Sequence, residues 1–527
     1  MTELNGILDG VDNGFLTEMG KATEGNKAAG FKTAYLQTLE NCSAFHKVCE
    51  TVFFRFVTLS AFGIAVVNVA KAADNTPPAV SPPAFTAIRY DEDYSDLKDP
   101  AARTNAFDPI KYISLSDRGD SYITFGGQVR DRYEYFQNYL FGRGPQDQNG
   151  YNLLRAMANA DLHLDPYVRV FAQGISATQQ GRFGGPRASD ADEIDLHQAF
   201  VDITLPFTAD TSFTLRGGRQ VIIFGAQRLI GVSDWTNARR TFDGVRGTLT
   251  TPGNTVDMFY ARPVRVREYS SDDDVPDTFI AGVYDTWEVP GAWAKAKPKL
   301  EIYAFYVDRQ SITFNQITAG EDRYTLGTRL TAYPKPFDFD LETDYQFGRF
   351  SGEETHAFAV AAMGGYTLKD AMFAPRTFLG FDIASGGRRN NPGDAFDQLF
   401  PSGHDQFGII DAIGRQNIID VHPGFTLTLL ENKPGAQRLT LLTQYRQFWR
   451  ESDQDAVYTS SGSILRAAGG SNASAIGGEI DLQVNWQLDR YISAYAGYCH
   501  FFHGSFVADT GPHSDIDFAY SALVFTF

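Results

Sequence analysis

From Ser121 to Phe527, apolar and polar side chains alternate at a period of two, in segments of about ten residues separated by turn-forming clusters. The pattern is plainest between Glu193 and Thr250. One strand reads Asp195-Leu-His-Gln-Ala-Phe-Val-Asp-Ile-Thr-Leu205 and stops at Pro206, and the next runs from Phe213 to Phe224. A basic loop, 225–240, then leads to Phe242-Asp-Gly-Val-Arg-Gly-Thr-Leu249. Arginines recur inside these strands. In a soluble sandwich an inward arginine on nearly every strand would be ruinous, because each loses its water without a partner. A barrel with water inside and lipid outside accommodates them.

Strand starts are expected near 121, 151, 167, 193, 212, 241, 255, 277, 299, 323, 337, 356, 376, 416, 437, 476, 490 and 514. They number about eighteen, an even count. The connections alternate in length. Asp165-Pro166, Thr251-Pro-Gly-Asn254, Pro334-Lys-Pro336, Asn432-Lys-Pro-Gly435 and Asp489-Arg490 are short. Those between them, 140–150, 179–191, 225–240, 265–276, 310–322, 387–414 and 451–475, are mostly long and hydrophilic. Short periplasmic turns alternating with long external loops mark an outer-membrane barrel. The last strand is rich in aromatics and ends in Phe527. The fold class is therefore all-β, a transmembrane antiparallel barrel of about 18 strands over residues 120–527.

Composition agrees. The 42 Phe and 25 Tyr are enough to supply aromatic girdles, in a chain with 49 Gly and only 21% charged residues. After the N-terminal region there is no apolar run of about 18 residues or more, so membrane-spanning helices are excluded. Composition alone would equally suit a large secreted all-β protein; the parity of the connections separates the two.

Upstream, Arg55, the apolar run Phe56–Val69 and Ala70-Lys-Ala72 form a secretory signal peptide over 53–72. Residues 1–50 have no export character, so either the start codon is placed too early or an extended pre-region exists. Residues 73–119 are a periplasmic lead-in, with a stiff Pro77-Pro-Ala-Val-Ser-Pro-Pro83 linker. Of 3 cysteines, Cys42 and Cys49 precede the cleavage site, leaving Cys499 without a disulfide partner. Without a Cys/His cluster no metal or other cofactor is expected, and no nucleic-acid partner is expected of this acidic chain.

Alternation also assigns faces, since a one-residue slip turns every side chain over. Thr124, Gly126, Gln128, Arg130, Arg132 and Glu134 share one face against Ile123, Phe125, Val129, Tyr133 and Tyr135. Near 437, Arg438, Thr440, Gln444, Arg446 and Arg450 oppose Leu439, Leu441, Tyr445 and Trp449. Arg155, Arg169, Arg246 and Arg329 fall on polar faces. An arginine in mid-lipid costs about 2–4 kcal/mol, so all of these are expected in the lumen. An acidic stripe, Asp338, Asp340, Glu342 and Asp344, faces them with Glu479 and Asp481. Arg216 and Arg219 have opposite parity, as do His197 and Asp202. A bulge or a position at the membrane rim would resolve each pair. The loop 225–240, with Arg228, Trp235, Arg239 and Arg240, is expected either to fold inward or to pack externally on its neighbours.

Five stretches in register resemble the alginate export family of outer-membrane porins. They are Leu196-His-Gln-Ala-Phe-Val-Asp202, Leu215-Arg-Gly-Gly-Arg-Gln220, Asp234-Trp-Thr-Asn-Ala-Arg-Arg-Thr-Phe-Asp-Gly244, Tyr445-Arg-Gln-Phe-Trp-Arg450 with Asp455-Ala-Val-Tyr458, and Ile476-Gly-Gly-Glu-Ile-Asp-Leu482. The lead-in (Tyr94, Asp99-Pro, Asp108-Pro, Lys111-Tyr112) is similar too. The resemblance implies a monomeric channel exporting the polyuronate alginate. Its constriction would be lined by arginines and a few carboxylates, beneath a long external loop and above a periplasmic gate. Arg219 matches the family's Gly-Arg-Gln arginine, Arg216 its upstream partner and Arg450 the Phe-Trp-Arg arginine. His197 stands where the exporter has arginine, replacing a permanent charge with a mostly neutral ring.

The leading reading is an outer-membrane channel, lipid-embedded, that exports an acidic polysaccharide or passes small anions, with a periplasmic scaffold as a possible partner. Its lumen residues would be Arg130, Arg132, Arg155, Arg169, His197, Asp202, Arg216, Arg219, Arg239, Arg240, Arg246, Arg446, Arg450, Glu479 and Asp481. Arginine's planar fork engages carboxylates in pairs, and transport needs attraction that is weak and repeated. The formal net charge of -18 opposes a polyanion, but external loops such as Ser271-Asp-Asp-Asp274 hold part of it, screened within about 8 Å. The alternative is a general or small-solute porin. A hydrolase built into a barrel would need His404-Asp405 or His500 and His503, which read better as loop and rim residues. No enzyme motif appears.

Overall fold

The computed structural model describes residues 84–146, 149–291, 294–404, 406–433 and 436–527. The expected signal peptide, the linker up to Pro83, Cys42, Cys49 and Asp405 lie outside the described residues. Eighteen strands form the wall. They are β1 (Tyr122–Gln137), β2 (Tyr151–His163), β3 (Val168–Gln180), β4 (Asp192–Thr208), β5 (Thr211–Gln220) and β6 (Phe242–Thr251). Then follow β7 (Asn254–Arg265), β8 (Thr278–Glu288), β9 (Lys299–Phe314), β10 (Ile317–Ala332), β11 (Phe337–Phe350) and β12 (Glu353–Thr367). The last are β13 (Arg376–Ala384), β14 (Ile418–Lys433), β15 (Ala436–Trp449), β16 (Ala475–Gln487), β17 (Ile492–His503) and β18 (Ile516–Thr526). Each pairs antiparallel with its neighbours in sequence, and β18 closes on β1 from Gln137↔Asp517 to Gln128↔Thr526. Closure leaves no unpaired edge, which the hydrocarbon core does not tolerate. Among the described residues no helix is long and apolar enough to cross a membrane; the strands do so.

Alternation sets the faces as expected. On β1 Phe125, Val129 and Tyr133 are exposed toward lipid while Arg130, Arg132 and Glu134 are buried inside. One expected loop is not a loop. Residues 310–322 continue β9 and β10, which meet at a two-residue turn, Asn315-Gln316, with both φ positive. Of the polar residues there Glu321 points inward, paired to Arg309 at 2.9 Å, while Gln310, Ser311 and Thr318 are exposed at the hairpin tip.

The polar, proline-punctuated sequence of residues 84–119 suggests a lead-in with a short helical turn. It forms 3-10 turns at Arg89–Asp91, Ser95–Lys98 and Pro100–Ala102, then a helical turn at Asp108–Lys111, and packs into the periplasmic end of the barrel. The Asp108 carboxylate ties down the chain before that turn by accepting the amides of Thr104 at 2.8 Å and Asn105 at 2.7 Å. The Tyr90 ring packs edge-on against Phe171 and Phe200 of the lumen wall. Arg89 Nη2 donates to the Phe527 carbonyl at 2.8 Å, and Lys111 Nζ to the Phe125 carbonyl at 2.9 Å.

Candidate functional site

The loop 221–241, between β5 and β6, folds into the lumen. Its apolar residues Leu229, Ile230 and Val232 are buried, which removes them from water inside a polar barrel. Gly225 lets the chain turn inward: its φ is +52, and a Cβ there would meet the Tyr284 hydroxyl at 2.6 Å. The tip, Asp234–Asn237, is held by the β1–β2 wall. Arg130 donates to the carbonyls of Asp234 (2.7 Å), Trp235 (3.0 Å) and Thr236 (3.0 Å). Arg155 donates to the Asp234 carbonyl (3.0 Å) and carboxylate (3.0 Å). Arg132 donates to the Trp235 carbonyl, lies 3.9 Å over its ring and pairs with Glu134 at 2.8 Å. Asn237 donates to the carbonyls of Leu154, Thr178 and Asp190. Burial alone would raise the Asp234 carboxyl, but the guanidiniums of Arg155, Arg239 and Arg130 hold it below the usual carboxylate range. Burial brings Arg239 and Arg240 down to about 10, so both keep their charge at neutral pH.

A second loop, 385–417, enters from the same end and locks to the first. Ile230 and Phe400 form a bridge, and Arg240 donates to the carbonyls of Phe400 (2.7 Å) and Pro401 (2.6 Å). On the opposite wall each carboxylate of the β11 stripe has an arginine. Asp338 accepts from Arg376 at 2.9 Å, Asp340 from Arg329 at 2.6 Å, Glu342 from Arg228 at 2.8 Å and Asp344 from Arg415 at 3.2 Å. Arg228 and Arg415 belong to the two inward loops, so the stripe anchors both. Between the loops lies a narrow gap lined by Arg228, Arg415, Gln398, Gln406 and Ser460.

The other expected lumen residues are mostly paired already. Arg216 forms a two-pronged bridge to Asp202 (2.7 and 2.8 Å) beneath Tyr90, Arg169 pairs with Asp161, and Arg246 with Asp257 at 2.8 Å. Arg446 holds Asp420 at 2.7 Å. Glu479 accepts the Ile410 amide at 2.9 Å, and Asp481 the Gln444 side chain at 2.8 Å.

Three positions correct or resolve the sequence reading. Arg219 is not in the lumen. It pairs in register with Ala199 and Asp243, on the face carrying exposed Leu215 and Val245, and binds Asp243 at 2.8 and 2.9 Å. It lies at the external end of β5, where an outward charge costs only about 0–1 kcal/mol. Arg450 is not in the lumen path either. It lies just past β15 and holds the loop 450–474 together through the carbonyls of Asp453, Asp455, Ser471 and Ala473. His197 owes its parity to a bulge, since Gln173 pairs with Gln198 but Gly174 with Leu196; the ring is buried beside Arg239 and Arg155. His404 stacks on Trp235, with ring centroids 3.8 Å apart, and His500 and His503 pair with Asp517 and Asp515 at the outer end of β17. Sequence reasoning missed Arg415 and the inward role of Tyr90, Arg89 and Lys111, which sit in segments without alternation to orient them.

The family model for alginate export matches residues 121–520. No curated protein matches the sequence. Among solved structures the chain is similar to OpdK of Pseudomonas aeruginosa with vanillate, at 10% identity and TM-score 0.51, covering 77% of this chain and 98% of OpdK. It is also similar to OccAB2 of Acinetobacter baumannii, at 9% identity and TM-score 0.51, covering 76% and 98%. OccD3 (OpdP) of Pseudomonas aeruginosa gives 10% identity and TM-score 0.50, covering 79% and 93%. At such identities the likeness concerns the barrel alone.

Proposed function

The chain belongs to the alginate export family, and on that premise we propose that it exports an anionic polysaccharide of the polyuronate class. It is a channel of the Gram-negative outer membrane, not an enzyme. One observation carries the substrate reading. Arg130 and Arg155 are direct cross-strand partners on β1 and β2, an arrangement that like charges disfavour unless an anion lies between them. In the closed channel the inward loop supplies it: Asp234 sets its carbonyl against both and its carboxylate against Arg155. Arginines elsewhere on the wall keep carboxylates of the wall itself. When the loop withdraws, Asp234 leaves with it, and two permanently charged forks are free for the carboxylates of a passing uronate chain.

The closed state has two lids: the paired loops 221–241 and 385–417 from outside and residues 84–112 from the periplasm. Lipid surrounds the barrel as a single chain, and a periplasmic scaffold beneath the lead-in completes the pathway. The second reading, a small-solute porin, is favoured by the β11 stripe, whose ion pairs leave little net charge to grip a polymer. Planar-bilayer recording with residues 228–238 deleted separates the two. Saturable block by oligouronates, weakened in the same background by Arg155→Gln, supports export. A wide pore indifferent to oligouronates makes it a general porin.

A further inference from the structure

At the external end of β4 the loop 266–277 folds back on the strand, and three carboxylates meet. One oxygen each from Asp192, Asp195 and Asp272 lies within 4.8 Å of the other two. Asp192 is 3% exposed, yet among the described residues its carboxylate accepts no hydrogen bond and forms no ion pair. A largely buried carboxylate with no donor or cation against it is unfavourable in its charged form. The neighbours do not relieve it. Asp195 accepts the amides of Leu196 and Asp272, and Asp272 accepts the Arg267 amide at 2.7 Å, so both have oxygen capacity left. The nearest cation is Arg219, whose Nη1 is 3.9 Å from Asp195 while its Nε and Nη2 are committed to Asp243.

We infer that Asp192, Asp195 and Asp272 form a calcium site that fastens the loop 266–277 to the outer end of β4. The donors are all hard oxygens on three carboxylates, the set calcium prefers over softer metals. Ligands at about 2.3–2.6 Å from a calcium ion lie at most about 5 Å apart, so the observed spacing needs only small side-chain adjustments. Asp272 is partly exposed, which gives an ion access from the medium. The inner cluster Asp382, Asp420 and His422 differs: there Arg446 already sits on Asp420 at 2.7 Å in the place a cation would take. The sequence carries no Cys/His cluster, and oxygen ligands from a strand end and a distant loop leave no comparable spacing.

The test is calorimetric titration of calcium into the full chain, refolded into detergent free of lipopolysaccharide and treated with chelator. One saturable calcium site is expected, weakened by about tenfold or more in Asp192→Asn and in Asp272→Asn, with magnesium binding more weakly. Heat-modifiable gel migration establishes that each variant is a closed barrel. Absence of a saturable site in the unaltered chain overturns the proposal, as does a site that neither substitution weakens.

Discussion

Arg239, on the loop that enters from outside, donates through Nη2 to the main-chain carbonyl of Ala87 at 2.9 Å, in the segment that enters from the periplasm. The two lids therefore touch inside the lumen. Arg239 also pairs with Asp234 at 3.1 Å, so the contact continues to the arginines of the β1–β2 wall.

The first prediction concerns these lids. Deleting residues 228–238 or residues 84–112 alone should leave one closure in place and raise single-channel conductance modestly. Removing both should raise it by more than the two single effects together. Recordings in planar bilayers check this, and three deletions indistinguishable from the intact chain would show that neither segment obstructs the lumen.

A second prediction concerns the anchors on β11. Glu342 is buried and holds Arg228 at 2.8 Å, with Arg415 at 3.4 Å. Arg228→Ala strands part of that charge and should destabilise the closed barrel by roughly 3 kcal/mol. Adding Glu342→Gln should recover much of the loss, because the coupling belongs to the pair. Denaturant unfolding of the four proteins of this cycle gives the answer; a double variant no better than Arg228→Ala would refute the pairing.

Facing makes a third prediction. Arg219→Gln should leave the reversal potential in a salt gradient unchanged, since Arg219 binds Asp243 on the outer face. Arg155→Gln, in a channel lacking residues 228–238, should reduce anion preference. The opposite ranking would place Arg219 on the permeation path.

The fourth concerns pH. Burial, and then the charge of Arg89, bring Lys111 down to about 7. This folded value lies below the ordinary one of about 10.4, so the docked lead-in holds fewer protons than the free one between those two pH values. Docking is then weakest below about pH 7, where the buried ammonium is charged in both states, and strengthens as pH rises through that window. Open probability should be higher at acid pH, and Lys111→Met should flatten the dependence. A dependence unaltered by Lys111→Met would assign it to another group.

The sequence by itself determined the barrel. Sixteen of eighteen strand starts lie within two residues of expectation, because a lipid exterior and a wet interior impose strict alternation on every strand. The same rule turned Arg130, Arg132 and Arg155 inward without knowledge of any contact. Where alternation is interrupted, the tertiary structure decided. A bulge turns His197 inward, and position at the outer end of β5 lets Arg219 face outward. The tip of the β9–β10 hairpin, polar and largely exposed, reads as a loop. What the lumen arginines hold was settled only in three dimensions. Alternation fixes a side chain's direction, whereas the partners of Arg130, Arg132 and Arg155 are carbonyls of the inward loop, whose place is set by packing between distant residues rather than by a local period.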